Sequence, residues 1–279
     1  MSGLLKSDLL KLRKSGTFRV CVILSLLIGV FIALIYYYVW RNVGSSVEAT
    51  KVEATKVMMT ALGAEEDAIK EVLSVFPEPN VFDYINTMLS DANALYISSV
   101  AVCVFIASEY SMGTVKNPIS RGIKRRNIIA SKFISVAISM ICIMAAYVTG
   151  GAITSFCIFG YSPYQGGGNI PLVLLTYTLL FLGLAAFYTM ISIIAKGTGR
   201  AIAVSILLPM ITEAVIGMIA YSSQDYSGNI SKLWIFRTIL LSSDMCKSGQ
   251  AYIPILVAFG YMFICGTVSS MVFRRQELK

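Results

Sequence analysis

Glu109, Gly113, Thr114, Lys116, Ser120, Arg121 and Lys132 all lie in SEYSMGTVKNPISRGIKRRNIIASKF, the stretch from Ser108 to Phe133. It holds one carboxylate, six Lys or Arg, two Gly and a Pro, and long apolar runs flank it on both sides. Residues of this kind form ion pairs and charge-assisted hydrogen bonds with a protein surface or with phosphate headgroups. The chemistry on offer is recognition. A second group stands alone: Glu213, in SILLPMITEAVIGMIAY. A carboxyl inside an apolar run is costly and faces protein or water. It reads as a translocation-path, gating or proton-linked contact, or as a carboxyl held by a neighbouring helix. Pro209, four residues earlier, frees a backbone carbonyl and bends its helix.

Other chemistries are excluded. The chain has no His, which removes His-based catalysis and His metal sites. No G-x-x-x-x-G-K-[ST], GxSxG or SxxK occurs, so there is no P-loop and no serine nucleophile motif. The six Cys form no CxxC pair, and all but Cys246 lie in apolar runs, where they read as buried small apolar side chains. No catalytic residue, metal site or bound cofactor is expected.

The elements that must position these groups are membrane spans. The 279 residues are 56% hydrophobic and 14% charged, against about 25% charged in soluble domains. Six runs approach the roughly 20 apolar residues that a spanning helix needs: Phe18–Trp40, Ala92–Ser108, Phe133–Phe159, Pro171–Ala195, Ala201–Tyr221 and Ala251–Phe273. The second is short, with VFDYINTMLSDAN as an amphipathic lead-in. The first is too long for a signal peptide and reads as a retained anchor. Six spans put both termini on one side. That side carries 16 Lys or Arg and the other carries 7, so the positive-inside rule makes the termini cytoplasmic. The net charge of +8 is therefore a topology signal, not a nucleic-acid signal.

The predicted architecture is an all-α polytopic membrane protein, one transmembrane domain over 1–279. Residues 1–17 form an interfacial helix, with Leu5, Leu9 and Leu12 on one face and Lys6, Lys11, Arg13 and Lys14 around the rest. Ser15–Gly16 bends into the first span. Residues 41–91 form an extracytoplasmic helical loop with a tandem repeat, VEATKVEATKV. Residues 109–132 form a cytoplasmic loop. Tyr161–Ile170 and Lys196–Arg200 are tight connections. Residues 222–250 hold an apolar segment too short to span, a re-entrant or interfacial helix. Tyr36, Tyr37, Tyr38 and Trp40 read as an aromatic belt.

The loop letters E-Y-S-M-G-T-V-K-N-P-I-S-R-G-I-K-R-R-N-I-I-A-S-K resemble the inner loop of ABC-2-type permeases. That family has an acid, a Gly-Thr pair, a short helix, a base near Ser, and a Lys entering the next span. The six spans, the amphipathic start and the segment before the last span fit as well. Pro118 and the large first outer loop depart from the commonest pattern. The resemblance implies that Glu109, Gly113, Thr114, Lys116, Ser120, Arg121 and Lys132 belong to a coupling helix that docks on a cytoplasmic ABC ATPase dimer. ATP and Mg would be bound there. It further implies a second permease subunit, identical or related, in the bacterial plasma membrane. The substrate would be an amphipathic antimicrobial peptide or a lipophilic compound, moved outward. The rival reading is an ion- or proton-coupled secondary transporter centred on Glu213; a membrane-embedded enzyme is a third.

Overall fold

The computed structural model describes residues 2–39, 81–159, 170–222 and 231–275. The VEATK repeat, the 161–169 connection, Trp40 of the aromatic belt and most of the 41–91 loop lie outside them. Among the described residues every regular element is helical. Helices α1 (Ser2–Lys14) and α2 (Gly16–Val39) are followed by α3 (Val81–Ser90), α4 (Ala92–Ser111), the five-residue α5 (Lys116–Ser120) and α6 (Arg125–Phe159). Then come α7 (Ile170–Ala195), α8 (Thr198–Ser222), a 3₁₀ turn at Ser231–Leu233, α9 (Ile235–Lys247) and α10 (Tyr252–Arg275).

Six of these, α2, α4, α6, α7, α8 and α10, are long and apolar enough to cross a membrane. The expected spans all coincide with them, but the bounds move. Helix α6 starts at Arg125, eight residues before the apolar run begins. Its 35 residues rise about 52 Å, well beyond a hydrocarbon core of about 30 Å. Two turns therefore extend past the apolar zone and carry Arg125, Arg126 and Lys132. The amphipathic lead-in is a separate helix, α3, which ends where Asp91 caps α4 by accepting from the Asn93 backbone N–H at 3.1 Å.

The core is built from small and polar residues as much as from large ones. Along α2 the buried positions are Cys21, Ser25, Gly29 and Ala33, four residues apart, while Ile23, Leu27, Phe31 and Leu34 are exposed. In lipid there is no hydrophobic drive between helices, so a small-residue stripe allows close backbone approach and the large side chains face the solvent of acyl chains. The stripe meets α6. Ser25 donates to the Ile143 carbonyl at 3.2 Å. A Cβ on Gly29 would lie 2.3 Å from the Tyr147 carbonyl oxygen, and one on Gly150 would lie 2.5 Å from that of Leu26.

The same pattern corrects the reading of the cysteines. Cys21, Cys103 and Cys265 are buried, but Cys142 and Cys157 are exposed, on the outward face of α6. Apolar sequence does not mean interior position when the surroundings are apolar too.

Two ends are distinguishable. At one, α3 and α9 roof the bundle: Asn86 Nδ2 donates to Ser243 Oγ at 2.6 Å, and the Tyr147 hydroxyl donates to Asp91. At the other, α1, α5, the start of α6 and the end of α10 gather most of the described Lys and Arg. The guanidinium of Arg125 donates to the carbonyls of Phe273 and Arg274 at 3.1 and 2.6 Å, closing the end of α10.

Helix α1 differs from its expected facing. Its most buried residues are Asp8 and Leu12, with Leu4, Leu5 and Leu9 half-buried. The charged Asp8 sits inside the apolar stripe because partners await it there.

Candidate functional site

Those partners form the centre of the basic end. Lys132 Nζ lies 2.8 Å from Asp8 Oδ1 and 2.7 Å from Glu109 Oε1. Ser131 donates its hydroxyl to Asp8 Oδ2 at 2.7 Å, and Lys11 Nζ reaches Glu109 Oε1 at 3.3 Å. The ammonium also sits 5.0 Å from the centre of the Phe105 ring, within cation–π range. Asp8 is 2% exposed, and Lys132 and Glu109 are 12% exposed each. Burial of this degree limits screening, so the cluster ties α1, α4 and α6 together far more firmly than a surface pair would.

Local chain chemistry explains how Glu109 is presented. Helix α4 ends in a Schellman closure. The Thr114 N–H donates to the Glu109 carbonyl at 3.0 Å and the Gly113 N–H to that of Tyr110 at 3.1 Å. That closure needs a left-handed residue, and Gly113 has φ +67°. Thr114 adds its hydroxyl to the Glu109 carbonyl at 3.3 Å. The same device closes α5: the Ile123 N–H donates to Pro118 O at 3.2 Å and the Gly122 N–H to Ile119 O at 2.9 Å, with Gly122 at φ +75°. SMGT and SRGI are thus one motif used twice.

Pro118 leaves α5 intact. It is the third residue of the helix, where the backbone N–H has no intrahelical partner to lose. Its ring lines a small pocket with Glu109, Tyr110, Val115, Ile128 and Phe273, so it anchors the short helix to the bundle. Val115 is buried, whereas Met112, Lys116, Asn117, Ser120 and Arg121 are exposed. The Ser120 hydroxyl donates to the Asn117 carbonyl at 2.9 Å.

The seven residues singled out in this loop therefore divide into two groups. Glu109, Gly113, Thr114 and Lys132 build the seat, and Lys116, Ser120 and Arg121 face outward. Sequence reading missed Asp8. Its signal is that it is the only acid before Glu48 and is spaced four residues from both Leu4 and Leu12. A Gly113→Ala variant should cost about 1–2 kcal/mol, because an L side chain pays that in the left-handed region although space for the Cβ is open. Faster tryptic cleavage at Lys116 and Arg121 would report it, and Gly113→Asn should recover most of the loss.

Glu213 and Pro209 lie elsewhere, on α8. Pro209 is buried within the helix. Glu213 Oε2 is 3.9 Å from an Arg237 nitrogen on α9, while Glu213 Oε1 and Arg237 Nε are buried without hydrogen-bond partners. The pair is loose, and it joins α8 to α9, not to the basic end. Among the described residues no group of His, Cys, Asp and Glu is placed to hold a metal.

The family described as "Protein of unknown function (DUF2705)" matches residues 72–278. The match covers most of the chain, so the chain belongs to that family. No curated protein matches it.

Proposed function

We propose that this member of the DUF2705 family is the permease subunit of an ATP-driven exporter of the ABC-2 type. In this reading Met112–Lys124 is the surface on which a separate cytoplasmic ATPase docks. The observation that supports it most is the union of a rigid seat with an exposed cationic face. A five-residue helix capped at its end and anchored by Pro118 cannot deform independently of α4 and α6. Force applied to Lys116, Ser120 and Arg121 would pass to two spans as a rigid-body motion.

The remaining parts of the reading follow from charge and sequence. The positive-inside bias puts the basic end and both termini in the cytoplasm of a bacterial cell. Helix α1 lies along the headgroups with Lys6, Lys11 and Lys14 outward. Helix α9, 13 residues long, is a re-entrant element on the outer side, too short at about 20 Å to cross. Because the chain carries no P-loop, ATP and Mg are bound by the ATPase pair. A second permease subunit completes the complex, which moves an amphipathic peptide or lipophilic substrate outward.

Co-expression with a candidate P-loop ATPase, sought first in the adjacent coding sequence, tests the reading. A stable complex is expected, and Lys116→Glu with Arg121→Glu should weaken it about tenfold or more, since reversed rim charges oppose association. Transport that persists with no ATPase present would overturn it.

The unpartnered Oε1 of Glu213 gives the secondary-transporter reading one specific support. Glu213→Gln separates the two. Under the exporter reading ATP-dependent transport survives, because the pair only holds α8 to α9. Under the rival reading transport stops.

A further inference from the structure

At the basic end a groove of about 260 Å³ opens between α6, α7 and α10. Arg126 stands at its mouth, and Ala130, Phe133, Ala186, Gly266 and Ser269 line it. From Arg126 to Phe133 it descends about 10 Å at 1.5 Å per residue, from the level of the protruding turns of α6 into the apolar zone. Its width comes from missing side chains: a Cβ on Gly266 would meet nothing within 4 Å.

Two polar features have no protein partner among the described residues. Arg126 is exposed, and the carboxylates at this end among the described residues, Asp8 and Glu109, are already engaged by Lys132 and Lys11. The Ser269 hydroxyl lines the groove, is 2% exposed, and has no hydrogen-bond partner. Among the described residues Lys124, Arg274 and Arg275, near the mouth in the chain, are exposed and add positive charge. A guanidinium above an apolar slot with a spare hydroxyl donor matches a phosphodiester above an acyl chain.

We propose that this groove is a binding site for an anionic phospholipid, with the phosphate on Arg126, a glycerol or ester oxygen on Ser269, and one acyl chain lying past Gly266. The charge complementarity selects lipid over an apolar helix of a second copy, which would leave Arg126 unpaired. The site does not depend on an ATPase or on the direction of transport.

Binding of phosphatidylglycerol and phosphatidylcholine to the detergent-purified full chain, read by native mass spectrometry and by melting, tests it. Phosphatidylglycerol should be retained in preference to phosphatidylcholine. Arg126→Ala should weaken it on the order of tenfold, the worth of one charge-assisted hydrogen bond, and Arg126→Lys should restore part. Gly266→Leu should abolish it with the charge unchanged, by filling the slot. That variant should fold, since leucine favours helix over glycine and the space is open. Should it fail to fold, Arg126→Ala and Arg126→Lys still decide. Lys247→Ala, the same charge change at an exposed position on α9, should have no effect.

Equal retention of the two lipids would overturn the proposal. So would an equal loss in Lys247→Ala and Arg126→Ala, which would mark diffuse attraction to net charge. Unchanged binding in a folded Gly266→Leu, or a second copy cross-linked across the groove, would overturn it as well.

Discussion

Replacing Lys132 by alanine is expected to cost about 3–5 kcal/mol, the penalty for leaving buried carboxylates without their cation. Among the described residues Asp8 would keep only the Ser131 hydroxyl. Glu109 would keep only Lys11, whose side chain is 55% exposed and so heavily screened. The loss should be local first. Helix α1 should come away from α4 and α6, so trypsin should reach Lys6, Lys11 and Lys14 before the six long helices melt. The double variant Lys132→Ala with Asp8→Asn should recover part of the loss, because the orphaned charge is then gone. That non-additivity distinguishes an ion cluster from simple packing. A melting midpoint and a tryptic pattern equal to those of the parent would show that the cluster contributes nothing. Under the exporter reading, the same variant should hydrolyse ATP in complex with its partner but fail to export, because α5 would lose its seat.

Among the described glycines, Gly29→Ala should be the most disruptive single methyl group. Its Cβ would lie 2.3 Å from the Tyr147 carbonyl oxygen and 3.2 Å from the Gly151 nitrogen. Both obstacles are backbone, so no side chain can rotate away. Helices α2 and α6 would have to separate, breaking the bond from Ser25 to Ile143 and opening voids along the stripe. A cost of about 3 kcal/mol, the upper range for overpacking, is expected. Gly150→Ala, facing the Leu26 carbonyl at 2.5 Å, should behave alike. Gly260→Ala is the matched control: it is helical and its Cβ would meet nothing within 4 Å, so it should be neutral or stabilising by up to about 1 kcal/mol. Melting in one detergent compares all three. Equal midpoints for Gly29→Ala and Gly260→Ala would show that the α2–α6 contact tolerates separation.

The six long helices were legible in the sequence because spanning requires a run of apolar residues, and length and composition are local properties. The outward cationic face of 109–132, the turn at Gly113 and the helix break at Ser15 were legible for the same reason: each is set by residues adjacent in the chain. The end of α5 was legible in principle, since SRGI repeats the SMGT closure.

Pairings between distant residues were not legible. Lys11 was a foreseeable kind of partner for Glu109, but Lys132 lies 23 residues away and Asp8 more than a hundred. Only the packing of α1 along α6 brings all of them to one point. Facing was equally hidden. In water, apolar periodicity marks the buried side of a helix, but in lipid both sides are apolar. The buried side of α2 is therefore marked by Cys21, Ser25, Gly29 and Ala33, and of α1 by Asp8. Glu213 shows the same limit: its sequence marked it as costly, and only the approach of α9 supplied Arg237. What the sequence alone determined is the presence of six long apolar helices and the basic character of one end. Tertiary structure decided which helix faces touch and which charges meet, because those depend on contacts between residues far apart along the chain.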